Sequence, residues 1–224
     1  MREVVLDTET TGLNPEEGHR VIEIAYIELT NHLPSGRTFH SFFNPERAVE
    51  FSATEIHGLN TEDLIDKPGF GQRAPEFLAF IAGDPLIIHN AQFDINFLNA
   101  ELARLQLPLL DLGRAIDTLT LARKKFPGAP ASLDALCRRF SIDNSAREKH
   151  NALLDVELLA QVYVELIGGR QPDLRLTSFT NEEAQATGPA KKIERSWLKH
   201  APSSEEREAH ARLVEKLTDP LWAS

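Results

Sequence analysis

The sequence predicts an α/β domain, a mixed sheet begun by a three-strand meander and flanked by helices, followed by a C-terminal linker and a short helix. Three observations carry this expectation. The N-terminal stretch holds three apolar, partly alternating runs joined by turn-rich residues. Beyond them, apolar residues recur three and four apart, interrupted by isolated short β-like runs. A polar stretch without period then precedes the last amphipathic segment. Strands first, and helices alternating with strands afterwards, fit a sheet with helices packed on it.

REVVLD reads as the first strand, and TTGLNPEEGH after it as a turn rich in Gly, Asn and Pro. VIEIAYIEL alternates as a second strand and RTFHSFFN reads as a third. SATEIHG is a short helical turn, and TEDLID opens another with Thr61 as its cap. APEFLAFIAG reads as helix and PLIIHN as a short buried strand. FDINFLNAELARL has the spacing of an amphipathic helix. RAIDTL reads as a strand, Ser132 caps a helix over LDALCRRF, and ALLDVELLAQVYVELI is the longest helical run. The domain is expected to cover residues 1–169, ending at Gly168-Gly169, a helix C-terminus signal. Residues 170–195 read as a linker and 196–224 as a separate segment, whose helix starts near Ser203-Ser204 with acids in its first turn. Ala209, Leu213 and Leu217 make an apolar stripe there, followed by Leu221-Trp222. So short a helix is marginal alone in water, so the stripe calls for a docking surface, with Trp222 as an anchor.

With 224 residues and an ordinary hydrophobic share, the chain can bury a full core. No apolar run approaches the ~20 residues of a membrane span. MREVVLDTET shows no signal-peptide pattern, and a single cysteine, Cys137, fits a reducing cytoplasm and a small core residue in a helix. A net charge of −10 argues against broad, non-specific binding to nucleic acid. It does not exclude a nuclease, because bound metal ions can supply positive charge at a phosphate and a partner can deliver the strand.

Four carboxylates and a histidine stand out against this background: Asp7, Glu9, Asp94, His150 and Asp155, each acid ending, following or interrupting an apolar run. Asp7 and Glu9 are two apart on a predicted strand, so their side chains share a face. Two like charges so close repel unless a cation lies between them. Taken alone, such a pair is also what a solvated strand end looks like. Asp94 follows PLIIHN at the start of a helix, where an acid is also a plausible cap. His150 and Asp155 are five apart, about 140° around one helix, so His150 is expected on a loop or first turn and Asp155 on the helix proper. Asp155 in ALLDVELL either points to solvent or faces the core with a counter-charge. Oxygen donors alone suit hard cations such as Mg²⁺ or Mn²⁺, and a histidine beside them suits a general base in phosphodiester hydrolysis.

DTETTGL, HNAQFD and HNALLD, in that order, resemble the three motifs of the DEDDh exonucleases. That resemblance implies a ribonuclease H-like fold and a 3′→5′ exonuclease that uses two divalent cations. Asp7, Glu9, Asp94 and Asp155 would be the metal ligands and His150 the base. Within the family, EIHGLNTEDLIDKP, RAIDTLTLARKKFPG, SLDALCRRFSID and LLAQVYVELIGG are similar to the proofreading exonucleases of bacterial replicative polymerases. This implies a DNA 3′ end as substrate, contacted by Asp7, Glu9, Thr10, His57, Phe93 and Asp155. The C-terminal SSEEREAHARLVEKL with PLW resembles the polymerase-binding end of those proteins. The implied partner is the catalytic alpha subunit of DNA polymerase III, met by Leu213, Leu217 and Trp222. QPDLRL, residues 171–176, is similar to the short motif that grips the beta sliding clamp, with Gln171, Leu174 and Leu176 as anchors. Two rivals remain: a stand-alone DEDDh exonuclease trimming RNA or oligonucleotides, and a replication scaffold with a silent nuclease.

Overall fold

Arg2–Thr10 forms β1, Val21–Thr30 β2 and Leu33–Phe42 β3, and the three pair antiparallel in sequence as the expected meander. Asn31 and His32, both at positive φ (51° and 67°), form the two-residue turn between β2 and β3. That backbone twist matches the twist of the paired strands. The described strands make one mixed sheet in the order β3-β2-β1-β4-β5, where β4 (Leu86–Ile88) and β5 (Ala115–Asp117) lie parallel to β1 and to each other. The computed structural model describes residues 1–147, 149–168 and 202–216. They fall in two compact units, the last of these ranges in one and the rest in the other.

Helices cover both faces of β1, which is why Val4, Val5 and Leu6 form a continuous apolar run, all fully buried. Val4 and Leu6 pack into one core with Phe77 and Ile81 of α3 (Phe70–Ile81) and Leu98 of α4 (Ala91–Arg104). Here Tyr26 stacks on Phe39 with ring centroids 4.6 Å apart. Val5 belongs to the opposite core with Leu136 and Cys137 of α6 (Leu133–Phe140) and Val156 and Leu159 of α7 (Ala152–Leu166). Full burial of each such aliphatic side chain stabilises the fold by about 1.5–3 kcal/mol. Because side chains alternate along a strand, the α7-facing row that includes Val5 continues through Asp7 and Glu9. The α4-facing row continues through Thr8. One strand thus carries its acids toward α7 and its hydroxyl toward α4.

Most expected elements are present, with informative shifts. β3 begins at Leu33, and α3 begins at Phe70 despite Gly71 and Pro75 in its first half. TEDLID forms α2 (Thr61–Leu64), but its cap is Asn60, whose backbone N–H donates to Asp63 at 2.8 Å. Thr61 instead accepts a bond from the Val49 N–H. RAIDTL is strand only to Asp117, whose carboxylate accepts from the Leu119 N–H and starts α5 (Thr118–Lys125). SATEIHG lies in α1 (Phe51–His57), and Ser132 caps α6 as expected. Cys137 is buried in the core.

The final helix, α8 (Ser204–Val214), opens on a capping box: Ser203 accepts from Glu206 N–H, and the Glu206 carboxylate accepts from Ser203 N–H at 2.7 Å. Leu213 is 58% exposed. Leu217, Trp222, the linker and the anchors Gln171, Leu174 and Leu176 lie outside the described residues. Among the described residues no helix is long and apolar enough to cross a membrane.

Candidate active site

The carboxyl ends of β1 and β4 and the N-termini of α4 and α7 meet at one cavity of about 390 Å³. Ligand sites of open α/β sheets form at such strand ends, and helix N-termini favour negative groups there. Asp7, Glu9, Asp94, His150 and Asp155 all line it, as do Thr10, His57 and Phe93. A larger cavity, about 680 Å³, lies between the β2–β3 hairpin and α7 and is lined by none of these residues.

Each acid is held differently. Asp94 sits in the first turn of α4, 3% exposed, and is not the cap of that helix. Its Oδ1 accepts from the Thr8 N–H at 3.0 Å and from the Thr8 hydroxyl at 2.7 Å, tying α4 to β1. Asp155 lies in the first turn of α7 and is also 3% exposed, so of its two readings the core-facing one holds. The counter-charge that this requires is Arg147, whose Nε and Nη2 donate to the two carboxylate oxygens at 2.5 and 2.6 Å. His150 is on the loop before α7, half exposed, with its backbone N–H donating to the Ile56 carbonyl at 3.1 Å. Ligand atoms of Glu9, His150 and Asp155 lie within 4.8 Å of one another.

His57 is buried; its Nδ1 accepts from the Leu59 N–H, which leaves the proton on Nε2 to donate to the Thr10 carbonyl at 3.3 Å. Burial holds its pKa below the usual histidine value. The Thr10 hydroxyl donates to the Gly12 carbonyl at 2.6 Å and so shapes the turn after β1. Phe93 is half-buried and leans on Phe97, with ring centroids 4.9 Å apart.

The electrostatics follow from packing four acids at the end of one sheet. Burial, then repulsion from Asp94, Glu9 and Asp155, pushes Asp7 well above the ordinary carboxylate range. Burial, then the charges of Glu23, Asp155 and Asp94, lifts Glu9 to about 9. Burial lifts Asp94 to about 7 against the opposing bonds from Thr8. Burial would raise Asp155 too, but the bonds and charge of Arg147, with His150, outweigh it and hold this group below its usual value. A hard divalent cation is the partner that such a donor set fits, since it neutralises clustered oxygens without itself needing hydrogen-bond donors.

Sequence reasoning missed three groups here. Glu23, within the alternating VIEIAYIEL, is 1% exposed and is the β2 partner of Glu9. It accepts from the Asn151 side chain, which caps α7, and lies 2.7 Å from His40 Nε2. Glu23 stands behind the cavity wall, whereas Asp134 and Arg147 line the cavity itself. The only local signal for Asp134 is its place in the first turn of a capped helix. Arg147, in the polar run IDNSAREKH, has none.

The exonuclease family profile matches residues 4–163. DNA polymerase III subunit epsilon of Rickettsia typhi is 49% identical over 223 residues, 97% of this chain and 97% of that protein. The subunit epsilon of Escherichia coli is 46% identical over 176 residues, covering 75% of this chain and 72% of that protein. Among solved structures, exonuclease X in complex with 5′-overhanging duplex DNA is similar with a TM-score of 0.59 at 24% identity, covering 74% of this chain and 90% of that one. The nuclease domain of 3′hExo, a DEDDh family member bound to rAMP, is similar with a TM-score of 0.63 at 19% identity, over 74% and 91%. At these identities the structural likeness speaks for the fold, which is the ribonuclease H-like fold of DEDDh exonucleases. With the exonuclease match over most of its length and near-complete overlap with the rickettsial protein, the chain belongs to the DNA polymerase III epsilon-subunit family of exonucleases.

Proposed function

We propose that this chain is a metal-dependent 3′→5′ exodeoxyribonuclease that proofreads for DNA polymerase III. It removes mispaired 3′-terminal nucleotides as 5′-mononucleotides. The observation that carries the reading is the convergence of four carboxylates and His150, from β1, α4 and the start of α7, into one cavity. Asp7, Glu9, Asp94 and Asp155 would hold two divalent cations, Mg²⁺ or Mn²⁺. Such ions, when bound, supply positive charge to the attacking and leaving oxygens of an in-line displacement. His150, at the solvent-facing rim, accepts the proton of the attacking water. The water oxygen bonds to phosphorus as the bond to the 3′ oxygen of the preceding nucleotide breaks, leaving a shortened strand with a 3′ hydroxyl. Phe93 and His57 flank the terminal nucleotide, and Thr10 holds the turn that receives it. Release of mononucleotides from a 3′-mispaired DNA primer should require Mg²⁺ or Mn²⁺ and exceed release from an RNA end. Preference for RNA ends would instead favour a stand-alone trimming enzyme, and no release with metal a silent scaffold.

Residues 1–169 would form the nuclease domain, 170–195 a tether and 196–224 the polymerase-binding segment. The exposed Leu213 on a well-capped α8 supports docking of this helix on the alpha subunit, with Leu217 and Trp222 beside it. The motif at 171–176, through Gln171, Leu174 and Leu176, would reach the beta clamp, since a tethered peptide binds at high effective concentration. The assignment places the protein in the bacterial cytoplasm, at the replisome. Deleting 196–224 should abolish co-elution with the alpha subunit while nuclease activity on a free 3′ end remains. Gln171→Ala with Leu174→Ala should lose clamp pull-down. Retained co-elution or pull-down in these variants rules out the corresponding contact.

A further inference from the structure

Arg147 is the cation that the carboxylate cluster already possesses, and its position is unusual for an arginine in a polar loop. Its side chain is only 5% exposed. Nε and Nη2 bind both oxygens of Asp155 at 2.5 and 2.6 Å, a bidentate grip that spends the guanidinium edge on one carboxylate. Nη1 donates to Asp134 Oδ1 at 2.8 Å, so the group is also anchored to the first turn of α6. Nη2 further lies 2.9 Å from Nδ1 of His150. The same Nη2 is 3.4 Å from Nε2, and Nδ1 is itself 3.4 Å from Asp155 Oδ2, so the guanidinium sits against both the carboxylate and the ring beside it.

We infer that Arg147 is a positioning residue, the resting counter-ion of the site, which holds Asp155 and His150 in a metal-free arrangement and is displaced when a divalent cation binds. The inference rests on the metal-binding role proposed for Asp155. Its physical basis is that one carboxylate flanked by Glu9 and His150 serves two competing cations, and guanidinium and metal ion each weaken the other's hold by the same factor. Before the cation arrives, Arg147 occupies both oxygens of Asp155, and once it has arrived the guanidinium is released from Asp155 and His150.

The test uses the full chain with Mn²⁺ alone, followed by titration calorimetry and by thermal unfolding with and without the ion. Arg147→Met should bind Mn²⁺ about tenfold more tightly than the parent, within the usual range of coupling between competing sites. Without metal, the variant should unfold at a lower temperature than the parent, because Asp155 has lost its partner. At saturating Mn²⁺ that gap should close, since Arg147 is then disengaged in both. Equal or weaker Mn²⁺ binding by the variant, or a gap that persists at saturation, overturns the inference. If Arg147→Met does not fold, Arg147→Lys serves instead. Its point charge cannot grip both oxygens of Asp155, so tighter Mn²⁺ binding than the parent is again expected and unchanged binding overturns it. Absence of Mn²⁺ binding in the parent as well would overturn the metal reading of the site, and with it this one.

Discussion

Asp7→Asn should lower exonuclease turnover by about 10³-fold or more, because the group serves transition-state charge stabilisation worth several kcal/mol. The same substitution should raise the unfolding temperature of the metal-free protein. The two effects have one cause. Asp7 lies among Asp94, Glu9 and Asp155 and is pushed well above the ordinary carboxylate range by burial first and by those charges second. A neutral amide of nearly the same shape removes the repulsion, and it removes an anionic oxygen ligand with it. The pH dependence has a definite sign. Unfolded, these acids ionise near pH 4, whereas in the fold Asp94 holds its proton to about 7 and Glu9 to about 9. Between those limits the native state binds more protons than the unfolded chain, so stability falls as pH rises through the window. Asp155 runs the other way: its depressed value contributes stability above the ordinary range that is lost on acidification. The metal-free parent should therefore lose stability between about pH 5 and pH 9, Asp7→Asn should lose less, and Mg²⁺ should flatten the parent's profile. Thermal unfolding across that range, in EDTA and in Mg²⁺, measures all three. A profile unchanged by the substitution would mean that Asp7 does not share the field of the other acids.

His150→Ala should cut turnover by about 10²-fold while leaving Mn²⁺ affinity close to that of the parent, as removal of a general base does. The geometry makes this a sharp test, since His150 lies close enough to Glu9 and Asp155 to be a ligand itself. If it were one, affinity would fall together with turnover. Its half-exposed position at the rim means that the substitution leaves no buried void, so a loss of rate is not a loss of fold. Steady-state rates on a single-stranded DNA end, paired with a Mn²⁺ titration, separate the roles. Near-parental turnover would remove His150 from the mechanism.

Much of this was legible in the chain because it is local. The apolar run in REVVLD marked β1, period-two alternation marked β2, three- and four-residue spacing marked α4, and Ser132 marked the start of α6. The acid pair two apart on β1 pointed to one face, and His150 and Asp155 split between loop and helix as their spacing required. Where local signals conflicted, the reading slipped. Gly71 and Pro75 concealed the first turn of α3, and Asp117, a capping side chain, ended β5 sooner than its apolar neighbours implied.

Residue order by itself determined the elements, the identity of the five chemical groups and the family to which they belong, because each is written in neighbours along the chain. Only the tertiary structure decided that Asp94 bonds Thr8 rather than capping its helix, and that Asp155 faces inward on Arg147. It also decided that Glu23 stands buried opposite Glu9. Those outcomes depend on which distant side chains share a low-dielectric space. Burial and charge pairing across that space have no period to read.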